Sequence, residues 1–211
     1  MTKNKKRRRN RKATEDAILA AFERVVERDG LRNASPTTVM AEAGYSKPLL
    51  YDYFGDMAGL VRAWFDRHHV WPDYNLPVVI EDEDHLKQCL KDFMLKTADA
   101  LRGNPCFQEI LAAELTKNWE YQEILEASRE EWFKENLGAL MAHPELSKEE
   151  NWNLLFVIYN SINYLALRSR SPSPHVGLHI DSELGWRDAM NRVESTIDDL
   201  ILLSKIRELM K

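Results

Sequence analysis

Apolar residues recur at helical spacing from the first part of the chain onward. A stripe between Thr14 and Gly30 repeats every three or four residues and comprises Ile18, Ala21, Phe22, Val25 and Val26. Thr14 can cap a helix at this point, and Glu15 and Asp16 suit its first turn because the N-terminal end of a helix favours negative charge. The pattern predicts a first helix that starts near Thr14, packs by one face and ends at Gly30.

Two short helices separated by a tight turn are predicted next. Ser35 is a favoured N-cap, and Pro36 suits the first helical position because that position needs no backbone N–H donor. This helix should end at Gly44, and Ser46 can cap a second helix that tolerates Pro48 in its first turn. The turn is therefore formed by residues 44–46.

Helical patterns continue to the end of the chain. They are predicted over residues 56–71, 83–102, 105–116, 118–142, 147–170 and 183–209, with a proline-containing loop over 73–81. No segment alternates apolar and polar residues with a period of two, so no sheet is expected. The predicted fold class is all-α.

Composition and cysteine usage favour an ordinary reduced globular protein. The chain has 211 residues, 44% of them hydrophobic, which is enough to bury a core. The two cysteines, Cys89 and Cys106, have no metal-ligand or redox spacing, so neither a disulfide nor a metal site is expected. The apolar run 154–167 is interrupted by polar residues and is shorter than the roughly 20 residues of a membrane span. With no secretory signal recognisable, we expect a cytoplasmic protein without a membrane partner.

Charge is distributed unevenly along the chain. Residues 1–70 hold 14 Lys and Arg against 9 Asp and Glu, whereas the remainder holds 15 against 25. A basic head on an acidic body suits contact with a polyanion at one end. Residues 1–12 hold eight Lys and Arg and no acid, so a disordered arm is predicted there. It could be a solvated tail or an arm that adds phosphate contacts.

The stretch 30–54, GLRNASPTTVMAEAGYSKPLLYDYF, has the layout of a helix-turn-helix. Leu50 and Phe54 share one face of the second helix and can pack on the first two helices. The remaining positions would then face a DNA major groove or its phosphates. They are Lys47, Pro48, Leu49, Tyr51, Asp52 and Tyr53.

This stretch closely resembles the tetracycline-repressor (TetR) family of transcriptional regulators. The family's commonest pattern is small-Gly-Val-Ser followed by Leu-Tyr-x-x-Phe. This sequence matches it at Ala43, Gly44, Ser46, Leu50, Tyr51 and Phe54, and the resemblance covers about the first 65 residues. The resemblance implies an N-terminal three-helix domain with a helix-turn-helix, followed by a helical ligand-binding and dimerisation domain. The expected boundaries are 1–12 for the arm, 13–56 for the DNA-binding domain and 57–211 for the sensing and dimerisation domain.

The resemblance also implies which residues contact double-stranded DNA: Thr37, Thr38, Ser46, Lys47, Pro48, Leu49, Tyr51 and Tyr53. Their hydroxyl and ammonium groups can donate to phosphates or bases, and Pro48 and Leu49 can meet thymine methyl groups. Each could instead be a surface residue without a base contact. The chain departs from the family at Tyr45, Asp52 and Met57. Where Met57 replaces a frequent lysine, backbone N–H groups at the helix start could supply the phosphate contact, or the contact could be lost.

The body of the chain offers candidates for a ligand pocket and a dimer interface. An apolar pocket with a few polar groups could be lined by Trp64, His68, Phe107, Trp119, Trp132, Tyr159, Asn160 and Asn163, although most of these could be ordinary core. Two further stripes suit pairing with a second copy: Leu154, Leu155, Ile158, Ile162 and Leu165, and Val193, Ile197, Leu200, Ile201 and Ser204. Intramolecular packing is the alternative for these stripes.

No catalytic motif is present, and His175 and His179 lack further metal ligands, so neither an enzyme nor a cofactor is predicted. The expected function is a ligand-responsive transcriptional repressor that binds a palindromic operator as a homodimer and responds to a small molecule of unknown identity. A helical interaction or scaffold protein, whose basic arm binds an acidic partner, is the alternative. An enzyme with an unrecognised helical pocket would be revealed by substrate turnover.

Overall fold

The computed structural model describes residues 2–68, 71, 79–115, 121–144, 146 and 149–210. Within them the secondary structure is helical, and a single isolated bridge between His175 and Leu178 is the only β-type pairing. The helices are α1 (Thr2–Asp29), a 3-10 turn (Leu31–Asn33), α2 (Pro36–Ala43), α3 (Lys47–Phe54), α4 (Met57–His68), α5 (Glu83–Arg102), α6 (Pro105–Glu114), α7 (Gln122–Met141), α8 (Glu149–Arg168) and α9 (Glu183–Leu209). The all-α prediction is confirmed.

The start of α1 differs from the sequence prediction. The helix begins at Thr2, so residues 2–12, expected as a disordered arm, continue the helix. Lysine and arginine are good helix formers, and Arg11 pairs with Glu15 one turn later, at 3.1 Å between Nε and Oε1. Thr14 is not a cap, because its hydroxyl donates to the carbonyl oxygen of Asn10 within the helix (3.0 Å).

Two compact units divide the chain. One contains residues 1–70 and 105–128, and the other contains residues 71–104 and 129–211. The helices α4 and α6 therefore belong to the same compact unit as the helix-turn-helix. The functional boundaries at 13–56 and 57–211 stay predictions.

The first unit is organised around α1, which packs against α2, α4 and α6. Its core contains fully buried side chains from several helices, including Phe22, Val39, Leu60 and Phe107. The Trp64 ring meets Phe22 edge-on, with 6.0 Å between ring centroids. Each helix contributes one apolar face, as the hydrophobic periodicity indicates.

The second unit is built on α5, which packs against α8 and α9. The ion pair Lys91–Asp198 (2.7 Å) and the bond from Trp186 Nε1 to Asp99 Oδ1 (2.9 Å) join α5 to α9. Most of the stripes considered for dimerisation are buried inside this unit, namely Leu155, Ile158, Ile162, Val193, Ile197, Leu200 and Ile201. The intramolecular alternative therefore describes these residues, because a single copy of the chain already buries them.

Leu154 and Leu165 are half-buried, and the side chain of Ser204 lies outside the described set. None of the described helices is long and apolar enough to cross a membrane.

Candidate nucleic-acid interface and apolar cavity

Hydroxyl groups define the start of α2. The Ser35 side chain accepts from the Thr38 backbone N–H (3.2 Å), and the Thr38 hydroxyl accepts from the Ser35 backbone N–H (2.9 Å). The same Thr38 hydroxyl donates to the Asn33 carbonyl oxygen (2.6 Å). This reciprocal capping box satisfies two N–H groups that the helix itself leaves unpaired, so the predicted N-cap is confirmed.

Gly44 makes the tight turn between α2 and α3 possible. Its backbone has φ 73° and ψ 26°, a left-handed conformation that a residue with a Cβ adopts at a cost. Its N–H also donates to the Ala41 carbonyl oxygen (3.2 Å), which closes the last turn of α2. The helix-turn-helix is therefore present where the sequence placed it.

The buried side of α3 is anchored by Leu50, whose side chain is completely enclosed, while Phe54 is half-buried. The other side faces outward: Ser46, Lys47, Pro48 and Asp52 are exposed, and Tyr51 is 46% exposed. Leu49 and Tyr53 are half-buried. Ser46 makes no side-chain cap bond to α3, so its hydroxyl is available to an external acceptor.

The two threonines of α2 differ in what they can offer DNA. Thr37 is exposed at the second helical position. Thr38 is also exposed as a residue, but its hydroxyl proton is directed to the Asn33 carbonyl oxygen. Thr37 is therefore the better candidate for donating to a phosphate. The Thr38 hydroxyl is used to cap the start of α2.

Tyr53 is contacted by the basic end of α1. The guanidinium carbon of Arg11 lies 4.8 Å from the centroid of the Tyr53 ring, a cation–π distance. This contact joins the N-terminal end of α1 to α3. Such a contact cannot be predicted from the sequence, because no local pattern relates residues 42 positions apart.

Ion pairs hold α2 against α1. Arg24 Nε and Arg28 Nη1 donate to the two carboxylate oxygens of Glu42, at 2.9 and 3.0 Å. These hydrogen bonds lower the pKa of the Glu42 carboxyl group, because they favour its charged form. The charges of Arg24 and Arg28 on α1 are therefore partly neutralised by Glu42. On α3, the exposed basic side chain is that of Lys47.

The start of α4 is closed to the phosphate contact suggested for it. Asp56 Oδ1 accepts from the Gly59 N–H (2.7 Å), so one N–H of this helix start is already bonded and the nearby carboxylate would repel a phosphate. Met57 is buried rather than directed to solvent. This arrangement favours the alternative that the phosphate contact is lost at this position.

The predicted pocket residues do not form one site in either unit. Trp64, His68 and Phe107 belong to the first unit, where the Trp64 and His68 rings stack at 5.1 Å. Trp119 lies outside the described residues, and the other four predicted residues, Trp132, Tyr159, Asn160 and Asn163, belong to the second unit.

The two amides considered for that pocket are used locally. Asn160 is exposed and its Nδ2 donates to the Phe156 carbonyl oxygen (2.8 Å), while half-buried Asn163 donates in the same way to Tyr159 (3.1 Å). Asn160 therefore does not serve as the buried polar group that was expected, because its position on α8 turns it to the surface.

An apolar cavity lies inside the second unit, among α5, α7 and α8. Its volume is about 60 Å³, and it is lined by Leu90, Phe93, Met94, Phe133, Leu137, Leu140, Leu146, Trp152, Leu155, Phe156 and Tyr159. Among the predicted pocket residues that the structure describes, Tyr159 is the one that lines this cavity. The other residues that line the cavity were not predicted, because apolar side chains at helical spacing have the same pattern as an ordinary core.

The thiols show no sign of activation. Burial and neighbouring carboxylates raise the pKa of Cys106, and burial raises that of Cys89, so both stay protonated near neutral pH. Among the residues that the structure describes, no group of three or more His, Cys, Asp or Glu side chains could hold a metal ion.

Comparison with known proteins bears on the helix-turn-helix directly. Residues 18–64 match the family model described as "Bacterial regulatory proteins, tetR family". The chain carries a TetR-family DNA-binding domain. A crystal structure described as that of a TetR-family transcriptional regulator from Rhodococcus sp. has the same fold, with a TM-score of 0.58 and 19% sequence identity over 90% of this chain and 99% of that chain. No curated protein matches the sequence. The resemblance predicted for about the first 65 residues is thus confirmed over residues 18–64.

Proposed function

We propose that this protein is a ligand-responsive transcriptional repressor that binds a palindromic operator as a homodimer. The observation that carries the proposal is the division of α3 into a buried side held by Leu50 and an outward side with exposed Ser46, Lys47 and Tyr51. A helix divided in this way can enter a major groove without unpacking its domain. We propose no catalytic activity for the protein. We expect it to act in the cytoplasm, where its operator DNA lies.

The outward side of α3 offers several kinds of DNA contact. Lys47 can pair with a phosphate or with guanine, and the Ser46 and Tyr51 hydroxyls can donate to phosphates. Pro48 and half-buried Leu49 suit thymine methyl groups. Asp52 is exposed on the same helix and would repel phosphates, so its favourable partner is a cytosine amino group.

Two further residues belong to this interface in our proposal. Thr37 can donate to a phosphate from α2, and Tyr53 can do so from the end of α3. Arg11 lies over the Tyr53 ring and brings a cation to the same edge. The basic end of α1 would then add phosphate contacts and salt dependence, and it would do so as a helix rather than as a disordered arm.

Exposed apolar residues on α8 and α9 support a homodimer. Val157 and Tyr164 lie seven positions apart on one face of α8 and are exposed, and Leu202, Leu203 and Ile206 are exposed near the end of α9. The two helices pack against each other within the chain. Pairing with the same surface of a second copy would cover these side chains in an isologous interface. A dimer can then hold two copies of α3 about 34–36 Å apart, one helical turn of DNA.

The DNA proposal is tested by selection from random duplexes followed by fluorescence anisotropy at several salt concentrations. We expect a near-palindromic site, and Lys47→Ala should reduce the slope of log affinity against log salt by about 1, the value of one lost phosphate contact. Lys96→Ala is the matched control, because Lys96 is exposed on α5 in the other unit. Absence of salt-dependent duplex binding would favour the interaction-protein alternative.

The dimer is tested separately by light scattering after size-exclusion chromatography. Val157→Asp should yield monomers, because the proposed apolar interface would have to bury a carboxylate without a counter-charge. Val79→Asp is the control, since Val79 is exposed in the same unit but lies before α5. A monomeric wild-type protein, or equal behaviour of both variants, would contradict the proposed interface.

A further inference from the structure

Arg11 contacts residues of two different helices. Its Nε donates to Glu15 Oε1 one turn later on α1 (3.1 Å), and its guanidinium carbon lies over the Tyr53 ring of α3, 4.8 Å from the ring centroid. A guanidinium is planar, so it can cover an aromatic ring and still form hydrogen bonds with its N–H groups. The three side chains of Arg11, Glu15 and Tyr53 therefore form one group, the Arg11 cluster.

The Arg11 cluster has hydrogen-bond donors that its own residues do not use. Within the part of the chain that the structure describes, neither the two terminal nitrogens of Arg11 nor the Tyr53 hydroxyl has a hydrogen-bond partner. The Arg11 side chain is 57% exposed, so its terminal N–H groups can reach an external acceptor. Tyr53 is half-buried, which leaves part of its side chain open to solvent as well. The cluster can therefore bind a ligand that has several acceptor atoms.

A DNA phosphate has the acceptors that fit these donors. The terminal N–H groups of an arginine can pair with two phosphate oxygens at once, and a tyrosine hydroxyl can also donate to a phosphate. The short distance between the guanidinium and the Tyr53 ring allows both residues to contact the same phosphate. Tyr53 belongs to α3, the helix on which Lys47 and Tyr51 are exposed. The cluster therefore adjoins the proposed DNA-binding surface.

Glu15 is an acid within this basic end of α1, and its charge alone would repel a DNA phosphate. Its carboxylate accepts from Arg11 Nε, and this charge-assisted hydrogen bond restricts the long Arg11 side chain before any DNA is bound. A side chain that is already restricted loses less conformational entropy on binding. Glu15 can therefore strengthen phosphate binding through Arg11, although its own charge opposes it.

We propose that the Arg11 cluster holds a single phosphate of the operator. The terminal N–H groups of Arg11 and the Tyr53 hydroxyl are the donors, and Glu15 is a positioning residue that orients Arg11. The inference rests on the DNA-binding function proposed above. It adds to that function one defined phosphate contact and a favourable role for an acidic side chain in binding a polyanion.

The first test compares Glu15→Ala with Glu15→Gln in the full chain, because both variants remove the same charge. Glutamine keeps an oxygen that can accept from Arg11 Nε, whereas alanine does not. Affinity for the selected operator is measured by fluorescence anisotropy, after circular dichroism has shown that both variants are folded. We expect Glu15→Ala to bind about threefold to tenfold more weakly than Glu15→Gln, which is the net effect of one hydrogen bond.

The same comparison in an Arg11→Ala background is the control for this test. The difference between the two Glu15 variants should disappear there, because Glu15 acts through Arg11. Equal affinities of the two variants in the otherwise wild-type chain would mean that Glu15 acts by its charge alone, and the proposal would be overturned. A difference that persists without Arg11 would overturn it as well.

A second test locates the phosphate. Each phosphate of the operator is replaced in turn by a neutral methylphosphonate, and one position in each half-site should weaken binding of the wild-type protein but not of Arg11→Ala or Tyr53→Phe. Lys12→Ala is the matched control, because Lys12 is exposed next to Arg11 and its removal takes away the same charge. This variant should stay sensitive at that position. Loss of sensitivity at different positions in the Arg11 and Tyr53 variants, or at none, contradicts a shared phosphate.

Failure of this inference can be distinguished from failure of the proposed function. A wild-type protein without salt-dependent binding to duplex DNA overturns both. Sequence-specific binding by the wild-type protein, together with equal affinities of Glu15→Ala and Glu15→Gln, overturns the role of the Arg11 cluster and leaves the regulator in place.

Discussion

Replacing Gly59 by alanine should destabilise the DNA-binding unit, although such a change usually stabilises a helix. Gly59 lies in the first turn of α4, where alanine would ordinarily be more stable by about 0.5–1 kcal/mol. The added Cβ would overlap the carbonyl oxygen of Phe54 and lie 3.0 Å from its carbonyl carbon. Both are main-chain atoms, so only a movement of the end of α3 or the start of α4 can relieve the overlap.

The magnitude follows from two opposing terms. Overpacking of this kind costs about 1–3 kcal/mol, against the helix gain of about 0.5–1 kcal/mol, so a net loss of about 1–2 kcal/mol is expected. Gly138 in α7 is the matched control, because a Cβ there meets nothing within 4 Å. Gly138→Ala should therefore gain about 0.5–1 kcal/mol. The difference between the two variants measures the overlap itself.

The assay is urea unfolding followed by circular dichroism, combined with duplex-DNA affinity by anisotropy. Gly59→Ala should lower the unfolding midpoint and weaken DNA binding, since the shift displaces the end of α3. Gly138→Ala should raise the midpoint and leave DNA binding unchanged. If both variants stabilised the protein equally, the main chains of α3 and α4 would not approach each other as described, and the argument would be refuted.

Three further changes test local features. Thr38→Val should cost about 1 kcal/mol by removing the capping hydroxyl, while exposed Thr37→Val should leave the thermal midpoint unchanged. Val176→Asn should stabilise the protein by about 1 kcal/mol, because Val176 has φ 49° and is 89% exposed; a lower midpoint would show that its side chain packs. Glu42 has a pKa below its usual 4.5, so its contribution to stability is present above that pH and lost as pH falls through the lowered value. Glu42→Gln should accordingly reduce the loss of stability on acidification, measured by unfolding midpoints across the acid range.

Local signals explain why the helix-turn-helix could be predicted in detail. Ser35 and Pro36 start α2, and Gly44 ends it, through hydrogen bonds and dihedral angles that involve only neighbouring residues. Leu50 could be assigned to the buried side because helical periodicity relates it to its own helix. The same reasoning recovered the bounds of α5 and α9.

Predictions that depended on distant residues were less successful. The aromatic and amide residues chosen for a pocket are divided between two units, and Asn160 faces the surface. Ile162 and Ile197 were candidates for contact with a second copy but are buried within the chain. Periodicity shows that a helix has an apolar face, but it does not show which surface covers that face.

The amino-acid sequence by itself determined the helical class, the capped turn between α2 and α3, and the outward set on α3, because short-range hydrogen bonding and helical periodicity control these features. The tertiary structure alone decided that Gly59 must lack a side chain, that Arg11 meets Tyr53, and that α5, α7 and α8 enclose an apolar cavity. Each of these depends on the packing of helices against one another, which brings together atoms that no local sequence pattern relates.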